Sequence, residues 1–216
     1  MDGLKHYTPQ EEKANIISHV IGLTLSLAAL ILLVLRAGRY GNIWHLVSAS
    51  VFGASLIALY AASVFYHSAK DSKLRIRLRI LDHATIYILI AGTYTPFTLV
   101  VLHGLTGWTI FIASWLMALT GIILKLFFTG KYDVISTLMY VFMGWIIVFA
   151  ITPLINSLSA EGVFWLFAGG VAYTTGALLY SIKKIKFNHA IFHIFVLLGS
   201  FCHFVSIYFY VLPYKH

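Results

Sequence analysis

The chain has 216 residues, 60% of them hydrophobic and only 10% charged, with a net charge of +8. A water-facing domain of this size would carry roughly a quarter charged residues, so most of this surface must face lipid. The positive balance does not point to nucleic acid, because the basic residues gather at membrane boundaries rather than forming a patch.

Seven apolar runs of about 20 residues, enough to cross a hydrocarbon core of roughly 30 Å, follow one another at residues 14–35, 43–66, 80–102, 107–128, 134–156, 162–182 and 189–212. Backbone polar groups in lipid must pair within their own segment, so each run is expected to be helical. The prediction is an all-α, polytopic membrane protein, with a single seven-helix transmembrane domain over residues 1–216. A polar leader containing Asp2, Glu11 and Glu12 precedes the first span. That span is too long for a signal-peptide core and has no small-residue cleavage site before Arg36, so it is expected to persist as a helix. The stretch from Leu74 to Ile80 alternates apolar and basic residues and is expected to anchor the third helix, with its arginines near phosphate headgroups. Pro96 and Pro153 predict kinks in the third and fifth spans. Gly169, Gly170, Ala172 and Gly176 predict close helix packing in the sixth. The one cysteine, Cys202, excludes an intramolecular disulfide.

Twelve of the 15 basic residues fall on the side of the N-terminus: Lys5, Lys13, the five from Lys70 to Arg79, Lys125, Lys131, Lys183, Lys184 and Lys186. Arg36, Arg39 and Lys215 fall on the other. This asymmetry places the N-terminus in the cytoplasm and the C-terminus outside.

With that topology, polar residues from four helices meet at one depth, just inside the cytoplasmic boundary. His189 and His193 stand one helical turn apart at the start of the seventh span. Ser63 and His67 close the second span, Asp82 and His83 open the third, and Glu12, Asn15, Ser18 and His19 open the first. Ionisable side chains at membrane depth are costly, which marks a functional cluster. His67, His189 and His193 would form a three-imidazole metal site with one position open for water, as in catalytic zinc centres. Zinc suits imidazole better than calcium or magnesium do. Ser63 would hold that water, and Asp82 would orient it or take its proton. Asp82 also suits the N-cap of the third helix. Glu12, Asn15 and His19 fit either a polar clamp on the first helix or a layer supporting the metal. His83 lies about 100° round the helix from Asp82 and is expected to face elsewhere. His203, ten residues beyond His193, stands about 15 Å further along the axis, too far to share the metal but able to line the same cavity. His6, His45, His103 and His216 fall at ends or loops and are expected to meet water.

These residues resemble the motifs of the hemolysin III family, the bacterial branch of the progestin and adipoQ receptor superfamily that includes the adiponectin receptors. Glu12, Asn15 and His19 resemble its Glu-x2-Asn-x3-His motif. Ser63 and His67, followed by Asp82, resemble its second, and His189 with His193 its third, with His203 matching a further family histidine. The resemblance implies a seven-helix bundle in a bacterial plasma membrane, with zinc on His67, His189 and His193. It also implies hydrolysis of ceramide-type lipid amides, with membrane lipids as partners. Recognition of a large hormone is not expected, since the long N-terminal region of the adiponectin receptors has no counterpart here. Two other functions stay open: a non-enzymatic regulator of membrane lipid homeostasis with a structural zinc, and a haemolytic pore. The pore has little support, because no row of ionisable side chains runs through any span.

Overall fold

The computed structural model describes residues 7–102 and 104–213; Asp2, Lys5, His6, His103, Lys215 and His216 lie outside them. The helices are α1 (Pro9–Tyr40), α2 (Ile43–Ser68), α3 (Ser72–Pro96), α4 (Gly104–Phe128), α5 (Asp133–Gly144), α6 (Ile151–Ser157), α7 (Ala160–Ser181) and α8 (Asn188–Ser206). Among the described residues, seven helical segments are long and apolar enough to cross a membrane. Helices α1 to α4 pack in chain order, while α8 packs against both α7 and α1. The third span is the most enclosed. Large apolar side chains such as Leu35, Leu105, Phe149 and Phe164 cover the outside, as a lipid-facing surface requires.

Local chemistry explains where the helices begin. Thr8 accepts from the Glu11 amide and Glu11 reaches back to the Thr8 amide, a capping box completed by Pro9 in the first turn. The first helix therefore starts at Pro9, so Glu11 and Glu12 belong to its opening turn and not to a leader. Asp71 caps α3 by accepting from the Leu74 amide at 2.8 Å. The alternating Leu74–Ile80 stretch is consequently helical, and Asp82 stands well inside the helix, so the N-cap role belongs to Asp71.

His45 also departs from expectation. It is buried, and its Nδ1 lies 2.9 Å from Asn42 Oδ1 in the cap of α2, so it does not meet water. Both expected kink sites lie close to a change of helix type. At Pro96 the α3 geometry gives way to a π-helical turn, Phe97–Leu102, as the missing proline donor favours. The fifth span breaks after Gly144 into the 3-10 turn Ile146–Ala150 and then α6. Pro153 sits in the first turn of α6, where its absent N–H leaves no bond unmade.

Candidate metal centre

The buried positions of α1 include Asn15, Ser18, His19, Gly22 and Ser26, one stripe at three- and four-residue spacing. This helix is polar inside and apolar outside. Helix α8 repeats the pattern with His189, His193, Val196, Ser200 and His203 turned inward. Phe187, in the left-handed region at φ 57°, starts α8 abruptly. The Asn188 side chain then donates to the Tyr180 carbonyl at 2.8 Å, pinning the start of α8 to the end of α7. Those two features fix where His189 points.

His67, at the last turn of α2, meets His189 and His193. Each offers a nitrogen, and the three nitrogens lie within 4.8 Å of one another. His67 Nε2 and His189 Nε2 face each other at 3.1 Å, so at least one carries no proton. All three rings are buried.

The nitrogens turned away from this point have partners of their own. His67 Nδ1 donates to Glu12 Oε2 at 2.6 Å, and the Asn15 side-chain amide approaches the same nitrogen at 3.5 Å. Glu12 Oε1 accepts from Arg75, whose guanidinium also lies over the Tyr66 ring at 4.8 Å. His193 Nδ1 lies 3.3 Å from the Asn15 carbonyl and 3.1 Å from Ser18 Oγ. A carbonyl only accepts, so the proton sits on Nδ1 and leaves Nε2 with its lone pair. Such outer partners fix the tautomer of a ligating imidazole and raise its basicity. The residues therefore fit a metal such as zinc, which an all-imidazole donor set favours.

His19 stacks on His193, with ring centres 3.5 Å apart and planes 14° from parallel. Tyr7 covers the cluster on the N-terminal side, its ring 5.7 Å from His67 and 5.1 Å from His189. Burial, reinforced by the Tyr180 and Tyr66 phenols, raises the Tyr7 hydroxyl above the ordinary tyrosine range and keeps it neutral.

Beside the histidines opens a largely apolar cavity between α3, α5, α7 and α8. Asp82, His19, His189 and His193 line it at the metal end and His203 further in. Asp82 is buried, within electrostatic reach of His67; Ser63 lies beside it, without hydrogen-bond geometry. His83 lines the same cavity, contrary to expectation. The reason is the enclosure of α3, on which positions 100° apart both face the interior.

The structure brings together Glu12, Asn15, His19, Ser63, His67, Asp82, His189 and His193 in one neighbourhood, with His203 apart. Arg75 and Tyr7 join the cluster unannounced by the sequence, and Ser18, expected at this depth, takes a specific place beside His193. No signal along the chain sets Glu12 opposite Arg75, whereas Ser18 follows Asn15 by three on the same helical face.

Fold and site define a multi-pass helical membrane protein with a buried three-histidine centre near one face. The model of the family described as haemolysin-III related matches residues 7–204, and the chain belongs to that family. It is 46% identical over 204 residues to the Hemolysin-3 homolog of Bacillus subtilis (strain 168), covering 94% of this chain and 96% of that one. It is 46% identical to Hemolysin-3 of Bacillus cereus, over 94% and 93% of the two chains. Over 178 residues it is 30% identical to the human Monocyte to macrophage differentiation factor, covering 78% and 72%. The human relative is consistent with membership of the wider progestin and adipoQ receptor superfamily, and the Bacillus relatives with a bacterial plasma membrane.

Proposed function

We propose that this protein is a zinc-dependent hydrolase of ceramide-type lipid amides, acting at the cytoplasmic leaflet with zinc on His67, His189 and His193. The observation that carries the reading is the meeting of three buried imidazoles with the Asp82 carboxyl at one end of a largely apolar cavity. Zinc, when bound, would supply Lewis acidity that polarises a carbonyl and acidifies water. Asp82 takes a proton from the attacking water as its oxygen bonds to the carbonyl carbon. It then delivers that proton to the nitrogen as the carbon–nitrogen bond breaks, leaving a carboxylic acid and an amine. Ser63 orients the attacking water beside Asp82. Glu12, Asn15 and Ser18 hold His67 and His193 in the required tautomers. The acyl chain lies along Ile86, Leu89, Ile90, Phe192 and Val196, where water is excluded.

A second reading keeps zinc as a staple in a non-enzymatic regulator of membrane lipids. It is favoured by the way Glu12, His67, Arg75 and His193 tie α1, α2, α3 and α8 together. The name of the Bacillus cereus relative, Hemolysin-3, speaks for a haemolytic pore, and the largely apolar lining of the cavity speaks against one.

Metal analysis of purified protein, followed by turnover of short- and long-chain ceramides by wild type and Asp82→Asn, separates the first two readings. Zinc-dependent turnover that Asp82→Asn loses while keeping its metal is expected. Stoichiometric zinc with no turnover across a broad panel of lipid amides would overturn the hydrolase in favour of the staple.

A further inference from the structure

His203 is a polar group of the cavity that the chemistry at the metal end does not use. His203 is 4% exposed and lines the cavity, ten residues beyond His193 on α8, which is about 15 Å along the helix axis. Its Nδ1 is buried without a hydrogen-bond partner. The Tyr173 ring packs against it at 5.2 Å. Helix α7 is cut away to admit it: a Cβ on Gly169 would lie 2.6 Å from both Cε1 and Nε2 of the imidazole.

The neighbouring polar side chains are satisfied within the protein. Tyr173 bonds Ser200 Oγ at 3.0 Å. The Trp145 indole donates to Thr174 at 3.0 Å, and Thr174 donates to the Gly170 carbonyl. The Tyr94 hydroxyl donates to the Gly144 carbonyl and Thr93 to that of Leu89. His203 is the group left over. An unpaired polar group in this setting costs stability that a phenylalanine of similar shape would not. The walls around it, Leu166, Phe167 and Val196, are apolar.

We propose that His203 is a second polar subsite of the cavity, which accepts a hydroxyl group carried part-way along the chain of a bound amphiphile. A neutral imidazole presents one donor and one acceptor, and a hydroxyl group can answer either. The roughly 15 Å offset from the metal ligands sets the hydroxyl in mid-chain, with the carboxyl or amide head at the metal end. The inference rests on the amphiphile reading of the cavity given above, and it names the class of chain selected: one with a mid-chain hydroxyl in preference to a plain saturated one.

Competition against a fluorescent stearate analogue, with purified full-length protein in detergent micelles, tests this. The competitors are stearate and its analogues bearing one hydroxyl near the carboxylate, at mid-chain or at the chain end. Wild type is expected to favour the mid-chain hydroxyl over stearate by about tenfold or more, since a site built to hydrogen-bond a hydroxyl rejects the analogue lacking it. His203→Phe is expected to bind stearate as before and lose the preference, and His203→Gln to keep much of it. Equal wild-type affinity for stearate and the mid-chain analogue, or a preference that survives in His203→Phe, overturns the subsite. Should His203→Phe not fold, the positional series on wild type and His203→Gln still decides. No turnover is involved, so an absent hydrolase activity leaves the assay intact. Failure of every acyl probe to bind would overturn the amphiphile reading and this subsite together.

Discussion

Glu12 and His67 are joined across two helices by a 2.6 Å hydrogen bond from His67 Nδ1 to the carboxylate. The bond fixes which imidazole nitrogen is left for a metal, and Arg75 holds the same carboxylate from its other oxygen. The centre is thus built in layers, and the outer layer comes from the first turns of α1 and α3.

Replacing Glu12 by glutamine removes the negative charge but keeps the shape. Loss of such an outer partner typically lowers metal affinity by about 10–100-fold. A zinc titration against a chromophoric chelator is expected to show a drop of that order for Glu12→Gln, with the metal still bound at saturation. Unchanged affinity would mean that the carboxylate does not act on the ligand set.

Arg75 should act through Glu12. A double-mutant cycle of Glu12→Gln and Arg75→Met, read by metal affinity, is expected to be non-additive, with a coupling of about 0.5–3 kcal/mol. Additive effects would assign Arg75 to the Tyr66 ring and the Ala69 carbonyl.

Metal removal should loosen the bundle, because the three ligands join α2 to α8. At free metal about 100-fold above Kd, binding to the folded state alone contributes about 2.7 kcal/mol. A chelator should therefore lower the Tm of wild type measurably. His67→Ala should start lower and respond little. A chelator shift of equal size in both proteins would place the metal elsewhere.

Gly22 lets α1 come close enough to deliver its polar stripe. A Cβ there would lie 2.5 Å from the Tyr60 ring and 2.9 Å from Leu197 Cδ2. Gly22→Ala is expected to destabilise the protein by about 1–3 kcal/mol and to weaken metal binding indirectly, by moving Glu12 and Asn15 away from their histidines. Thermal unfolding and the same zinc titration would detect both effects. A variant with wild-type values in each would show that α1 can shift without cost.

The clustering of the three histidines is legible in the sequence for a physical reason. His189 and His193 stand four residues apart, a spacing that has one meaning on a helix, and charge asymmetry brought His67 and Asp82 to the same face. Helix starts were harder. Lipid-span length was read from apolar runs, whereas Thr8 and Asp71 begin their helices in polar sequence, where capping and not hydropathy decides. The inward turn of His83 was misjudged because spacing describes one helix, while enclosure depends on how many neighbours surround it. Arg75 looks like a headgroup anchor along the chain, where nothing tells that Glu12 waits across from it.

His67 and His189 are 122 positions apart, with four of the seven spans lying between them. At about 5–20 residues per second of synthesis, the first ligand waits roughly 6–24 s for its partners. Through that interval the growing chain holds Glu12, His67 and Asp82 in the bilayer with no complete ligand set. The centre can form only when the last helix has been inserted against the first two. Metal capture would then coincide with the end of biogenesis, and a chain stalled or cut before α8 would leave its half-built polar interior exposed to quality-control proteases.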